Sequence, residues 1–362
     1  MRWPWQRSHS TDQLVLSWTG KTFAFVQARH QGAGVYQVLA MGIEHQGPDD
    51  REAFVLRLQG LGFKGSRATF MLRSEQYQLL QIATPAVPPE ELRSAARYQI
   101  REMLESHVDD VTLDVMRVGD GQQKGAGSLF VVAATNVVVR GVLDLCDAMN
   151  WTVSVIDIHE TAQRNLQSAL AKASGRVDRA SAALVLLQGH QAVLTISANE
   201  ELFYTRRLDV SAQFMVQKWD QAMQANDGPT QDYMQVEEYV PDYSVAGVTY
   251  GNDYTDTRTL NANSQNGGVG DGESAQRFLV EVQRSLDVWD RTWSSMPLDG
   301  VSVYAGDRTQ ELANWLYNHL GQMVTPMNVG ALFSGFESGH VADHCLCFPL
   351  LGVLMRTENQ KL

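Results

Sequence analysis

The sequence predicts a two-lobed α/β protein in which one hairpin-led unit occurs twice. Three observations carry that expectation. Leu14 to Ala28 and Ala183 to Ile196 read alike, as an apolar strand, a short polar turn with one glycine, and a second apolar strand. The two hairpins stand about half the chain apart, and each heads a run of alternating strand and helix patterns. With 362 residues, 44% of them hydrophobic, the chain exceeds the usual single domain and has apolar side chains enough for two cores.

The elements follow in order. Residues 34–40 read as a third strand after the first hairpin, and residues 49–58 as a helix with Asp49 or Asp50 as its N-cap. Residues 67–72 and 78–83 are apolar enough for buried strands. Pro88 and Pro89 precede a helix whose Leu92, Ala95, Ala96, Ile100, Met103 and Leu104 share one face. Residues 112–118 and 128–134 form a strand pair around a Gly/Gln-rich turn. A helix over 137–149, a strand over 151–157 and a helix over 158–173 lead into the second hairpin, whose sheet residues 201–208 extend.

From about Asn226 to Glu273 the pattern breaks. Residues 261–272 hold almost no side chains worth burying, which predicts a mobile insertion. Between Asp227 and Glu273 nine acidic residues face one basic residue, so this stretch carries −8 of the net charge of −12. The remainder is nearly neutral, and no Lys/Arg cluster with interleaved aromatics supports nucleic-acid binding. The Asp/Asn/Gly content lacks the ligand spacing of a calcium loop. Leu279, Val282, Leu286, Trp289 and Trp293 then mark a long amphipathic helix. A strand over 300–306, a helix over 309–320 and an apolar helix over 347–356 close the chain.

No apolar run reaches the ~18–20 residues that span a bilayer, and Met1 to Arg7 has no signal-peptide core behind it. Three cysteines, Cys146, Cys345 and Cys347, fit a reducing compartment. A cytoplasmic protein is the expectation. The paired tryptophans Trp3 and Trp5 read as a loose terminus rather than a membrane anchor, since one such anchor binds weakly.

Two such hairpins, each opening a lobe, point to an actin-like duplicated architecture of ribonuclease H-like lobes. Five segments in order resemble the PilM-type actin-like pilus assembly family. They are Pro88–Glu102 leading to Val111–Val115, Val153–Arg164, Glu201–Arg207 with its terminal arginines, Glu281–Leu286, and Leu351–Arg356. The resemblance covers most of residues 14–356 apart from the insertion. It implies an inserted α+β subdomain over 77–155, a first lobe over 11–76 completed by a helix over 347–358, and a second lobe over 156–346. It further implies a role at the inner membrane: docking the cytoplasmic tail of a PilN-like bitopic protein, together with other components of a pilus assembly platform. Extended peptide added to a strand of the inserted subdomain is the docking mode expected. The cytoplasmic subunit of a type II secretion platform shares the fold, and there the chain continues into a membrane helix.

In an actin-like cleft, turn glycines admit phosphates to backbone N–H groups and hairpin carboxylates help hold Mg²⁺. Aligned on the family, Ser17 and Leu186 stand where the aspartates belong, and Thr19 and Gln188 where glycines belong. Gly20, Lys21, Gly189 and Gly306 remain as a degenerate nucleotide cleft. Gly20-Lys21-Thr22 lacks the upstream glycine of a P-loop, position 15 being valine. The expectation is therefore a scaffold with no catalytic residues, no metal and no cofactor, and an active Mg·ATP-dependent ATPase is the alternative. His340, His344, Cys345 and Cys347 miss regular zinc spacings, and Cys345 and Cys347 read as small hydrophobes on one face of a strand. Asp157 and His159 come without a nucleophile motif and are assigned to the crossover between lobes.

Overall fold

The first lobe is built on a six-stranded sheet, the second on a five-stranded one, and a third sheet has three strands. The structure is a computed structural model and describes residues 12–47, 51–63, 66–119, 127–187, 190–219 and 271–357. In chain order, β1 (Asp12–Trp18), β2 (Thr22–Gly32) and β3 (Val35–His45) form an antiparallel meander. After α1 (Arg51–Gly60), β4 (Arg67–Leu72) lies parallel to β1. The chain then leaves for β5 (Tyr77–Ala83), α2 (Leu92–Gln99), β6 (Val111–Arg117) and β7 (Ser128–Thr135). It returns through α3 (Asn136–Met149) to β8 (Thr152–Ile158), parallel to β4.

The crossover helix α4 (His159–Ala173) opens the second lobe. There β9 (Ala180–Leu187), β10 (Gln191–Ala198) and β11 (Glu201–Asp209) repeat the meander, followed by α5 (Ala212–Val216) and α6 (Asp271–Thr292). Next come β12 (Leu298–Tyr304), parallel to β9, then α7 (Thr309–Leu320) and β13 (Val324–Pro326), parallel to β12. The two five-strand sets thus share one topology, each an antiparallel meander of three strands followed by two parallel strands. Finally β14 (Phe333–Ser334) and α8 (Val341–Leu354) go back to the first lobe.

Strand alternation gives each sheet two apolar faces. In the first lobe Leu14, Leu16 and Phe70 face α1 and α3, while Val15, Ala24 and Val26 face α8. In the second, Leu184, Leu186 and Leu194 face α6 and α7, while Ala183, Val185 and Val193 look inward. Helices α4 and α8 therefore meet between the sheets. They cross so closely that a Cβ on Gly352 would sit 1.9 Å from the Ala162 carbonyl oxygen. Gln163 and Gln167 fasten α4 to the second sheet, Nε2 donating to the Ala183 and Ser181 carbonyls at 2.8 Å each.

Several boundaries differ from expectation. The inserted subdomain proper is β5, α2, β6 and β7 around its own core of Leu80, Leu92, Ile100, Leu113 and Val131. Residues after Thr135 belong to the first lobe, because Val142, Leu145, Met149 and Trp151 pack under its sheet. The chain rejoins that lobe before 347, since Val329, Phe333 and Phe336 already lie in the shared core. Helix α2 stops at Gln99 rather than running through Leu104, and Arg97 ties the following loop back through the Val108 and Val111 carbonyls. Cys345 and Cys347 are helical, not in a strand. Helix α8 is buried on nearly every side, so its apolar pattern carries no period to read. The expected N-cap at Asp49 or Asp50 lies outside the described residues. So does the acidic insertion, except that residues 271–273 already belong to α6.

Candidate functional site

The parallel strands β1, β4 and β8 lie side by side and end together at Trp18, Leu72 and Ile158. In an open α/β sheet, the carboxyl ends of parallel strands are where side chains and ligands converge. Ser17, Met71, Arg73, Ser74 and His159 gather at these ends. Across from them stand Leu187 at the end of β9, and Cys345, Leu346 and Pro349 from α8. The cavity they enclose measures about 10 Å³, which is room for about one water molecule. Nearby, the Tyr304 and Phe348 rings stack with centroids 3.4 Å apart, filling the space between the lobes with aromatic surface.

The sequence-predicted positions divide. Ser17 lines the cavity. Gly20 and Lys21 sit at the exposed tip of the β1–β2 turn and are not part of its lining. Gly20 has a φ of +87°, and Thr19 N–H to the Thr22 carbonyl at 3.2 Å closes that turn. Gly306 follows β12 with a φ of +62°, and a Cβ there would stand 2.7 Å from Cys345 Sγ. Gln188 and Gly189 lie outside the described residues. The pairing of Ser17 with Leu186 needs correction by one position. Alternation along β9 turns Leu186 outward into the second-lobe core and brings Leu187 to the cavity. The inward position is an aliphatic side chain either way.

The charged groups beside the cavity were not singled out as a site in the sequence. Glu160, fully buried at the start of α4, receives Arg207 Nε at 2.9 Å, with Nη2 in ion-pair contact at 2.9 Å. Tyr77 donates its hydroxyl to the other Glu160 oxygen. Arg207 also donates to the Ser74 carbonyl at 2.8 Å and lies 4.5 Å from the Tyr77 ring centroid. Ser74 Oγ reaches Gln191 Oε1 on β10 at 2.9 Å. One knot of side chains thereby joins the first lobe, the inserted subdomain, the crossover helix and the second lobe. Asp157 is paired separately, with Arg356 at 2.9 Å.

Burial, followed by the Glu160 charge, raises Tyr77 well above its ordinary range, so its hydroxyl stays a donor. Burial, with Arg73 and Arg207 adding to it, lowers His159 to about 3, so its ring is neutral at physiological pH. Burial raises the Cys345 thiol and pushes Cys347 up to about 12, leaving both protonated. The two thiols face different ways, Cys345 toward the cavity and Cys347 toward the Phe25 carbonyl at 3.5 Å. His344 is engaged with the Phe336 carbonyl at 3.1 Å. The signal that points to Arg73 and His159 in a sequence is positional: each is the first residue after an apolar strand of parallel type.

No protein-family model matches the sequence, and no curated protein matches it. Solved structures do. The PilM-PilN type IV pilus biogenesis complex superimposes with a TM-score of 0.58 at 16% identity, covering 96% of this chain and 97% of that one. A Bacteroides thetaiotaomicron protein of actin-like ATPase fold and unknown function gives 0.44 at 8% identity, over 89% and 95% of the two chains. The cytoplasmic domain of EpsL, an inner-membrane component of the Vibrio cholerae type II secretion system, gives 0.39 at 15% identity, over 62% and 79%. The fold is actin-like. Among the described residues, no helix is long and apolar enough to cross a membrane.

Proposed function

We propose that this chain is a cytoplasmic actin-like scaffold of a type IV pilus assembly machinery, docking the cytoplasmic tail of a PilN-like inner-membrane protein without hydrolysing ATP. The observation that carries the reading is the near full-length likeness to a pilus biogenesis complex, 96% of this chain against 97% of that one. The cleft supports the second half of it. Ser17 and Leu187, at the facing strand ends, bring no carboxylate for Mg²⁺. Within pilus systems, the degenerate hairpins liken the chain to the mannose-sensitive haemagglutinin (MSHA) biogenesis protein MshI. Association with the membrane then runs through the partner rather than through this chain.

Two measurements test the reading. A synthetic peptide of the partner's cytoplasmic tail should bind the purified protein and be competed by excess unlabelled peptide. Calorimetry with Mg·ATP should give no saturable heat. Tight Mg·ATP binding with turnover lost in Lys21→Ala overturns the scaffold in favour of an ATPase in the same machinery. Capture of a type II secretion partner tail in preference to a pilus one moves the chain to that platform.

A further inference from the structure

The inserted subdomain belongs by chain order to the first lobe, yet it also touches the second. Val118, Phe130 and Leu202 form a small core of their own, with Leu79, Met116 and Trp293 half-buried around it. Leu202 comes from β11, and the other two buried side chains come from the inserted subdomain. Beside them the Gly119 N–H donates to the Leu202 carbonyl at 2.8 Å. The approach is so close that a Cβ on Gly119 would stand 2.5 Å from the Phe203 ring, and the φ of Gly119 is +64°. Position 119 needs glycine on both counts.

The second place of contact is the turn Ser74–Gln76 and the residue after it. Tyr77 gives its hydroxyl to Glu160 and accepts the His159 N–H at 3.1 Å. Ser74 offers its carbonyl to Arg207 and its hydroxyl to Gln191. Each group that the inserted subdomain and its leading turn bring to these bonds is neutral. The charges, Glu160 on α4 and Arg207 on β11, both lie on the far side, where Gln163 and Gln167 fasten α4 to the second sheet. Parting the contact leaves that ion pair closed and hands carbonyls, hydroxyls and N–H groups to water. No ion pair among the described residues is broken, so the large cost of stranding a buried charge is avoided. The apolar share is light as well, a cluster of three buried side chains separate from the lobe cores.

We propose that the inserted subdomain is a strap, hinged where the chain leaves β4 and where it enters α3, and that its two contacts with the second lobe open and close together while the sheets stay folded. In the open state Phe130 and Leu202 lose their cover, and the Glu160–Arg207 pair is hydrated but intact. A ligand that prefers the subdomain in one position shifts this equilibrium, so binding there is felt at the second lobe.

Hydrogen exchange of single amides in the full chain tests the strap. The Gly119 amide reports one contact and the His159 amide the other, since each donates across the seam. Both should exchange through one opening, with equal protection and the same weak urea dependence, while amides of β7 and β9 stay protected at least about tenfold more strongly. Gly119→Ala should speed exchange at His159 about tenfold and leave β9 unchanged. Unequal protection of the two wild-type amides, an unmoved His159 amide in Gly119→Ala, or equal acceleration everywhere each overturns the proposal. If Gly119→Ala does not fold, Leu202→Ala, which removes one of the three seam side chains, makes the same comparison, and the wild-type amides decide in either case.

Discussion

Replacing Arg207 with methionine tests whether the knot of Glu160, Tyr77 and Ser74 holds the lobes together. The substitution keeps the aliphatic stem but removes the guanidinium that meets Glu160, the Ser74 carbonyl and the Tyr77 ring. Glu160 is 0% exposed, so among the described residues its buried charge then keeps only the Tyr77 hydroxyl as a donor. Removing one partner of a buried ion pair costs about 3–5 kcal/mol, mainly because the other is stranded. The converse, Glu160→Gln, should cost less, about 1–2 kcal/mol. Arg207 remains 25% exposed, keeps its bond to Ser74, and the new amide still accepts from Tyr77. Urea unfolding of the two single variants and the double variant forms the cycle. Hydrogen exchange should show lost protection in β5 and β11 together. An Arg207→Met cost below about 1 kcal/mol, or a double variant equal to the sum of the singles, would refute a coupled buried latch.

Acid sensitivity should trace partly to His159. Above its unfolded pKa of 6.5 the ring is neutral in both states, and below it only the unfolded chain takes the proton until about pH 3. Stability is thus full above pH 6.5 and falls progressively toward pH 3, by on the order of 4 kcal/mol from this ring. His159→Gln should flatten that limb in unfolding curves measured across the range. Gly352→Ala drives a methyl to 1.9 Å from the Ala162 carbonyl and must part α4 from α8, so a loss of about 3 kcal/mol is expected in denaturant unfolding. Gly20→Ala meets nothing within 4 Å, and only its φ of +87° opposes it, so about 1 kcal/mol should be lost. Equal costs for these two glycines would contradict the helix crossing. Gly119→Ala combines a φ of +64° with a Phe203 ring carbon 2.5 Å away, and should loosen the inserted subdomain from the second lobe in hydrogen exchange.

The duplicated hairpins were legible because both faces of β1, β2, β9 and β10 are buried, giving continuous apolar runs broken only at the turns. Alternation inside such runs is invisible, which is why Leu186 was matched with Ser17 when Leu187 shares its face. Helix α8 misled for a related reason: enclosed on almost all sides, it shows neither a helical nor a strand period. Ser17 apart, the polar groups of the site stayed hidden because they come from residues 73, 77, 159 and 207, and only sheet order brings them together. A single arginine after a strand looks like any surface arginine until its neighbours are placed. Glu160 and Arg207 fell within segments read for family likeness, yet nothing in their spacing announces a buried pair.

The return of α8 to the first lobe bears on how the protein is made. The inner face of the first sheet, including Val15, Val26 and Tyr36, is covered by a helix that ends at Leu354. Tyr36 bonds its hydroxyl to the Leu354 carbonyl at 2.8 Å, 318 residues along the chain. At ribosomal speeds of about 5–20 residues per second, that face waits roughly 15–65 s for its cover. Throughout that interval the earliest strands hold an uncovered apolar surface, while the later lobe can close on its own hairpin, α4, α6 and α7. Synthesis order and folding order therefore run against each other in the N-terminal lobe, which makes it the part most dependent on chaperones and least tolerant of a premature stop.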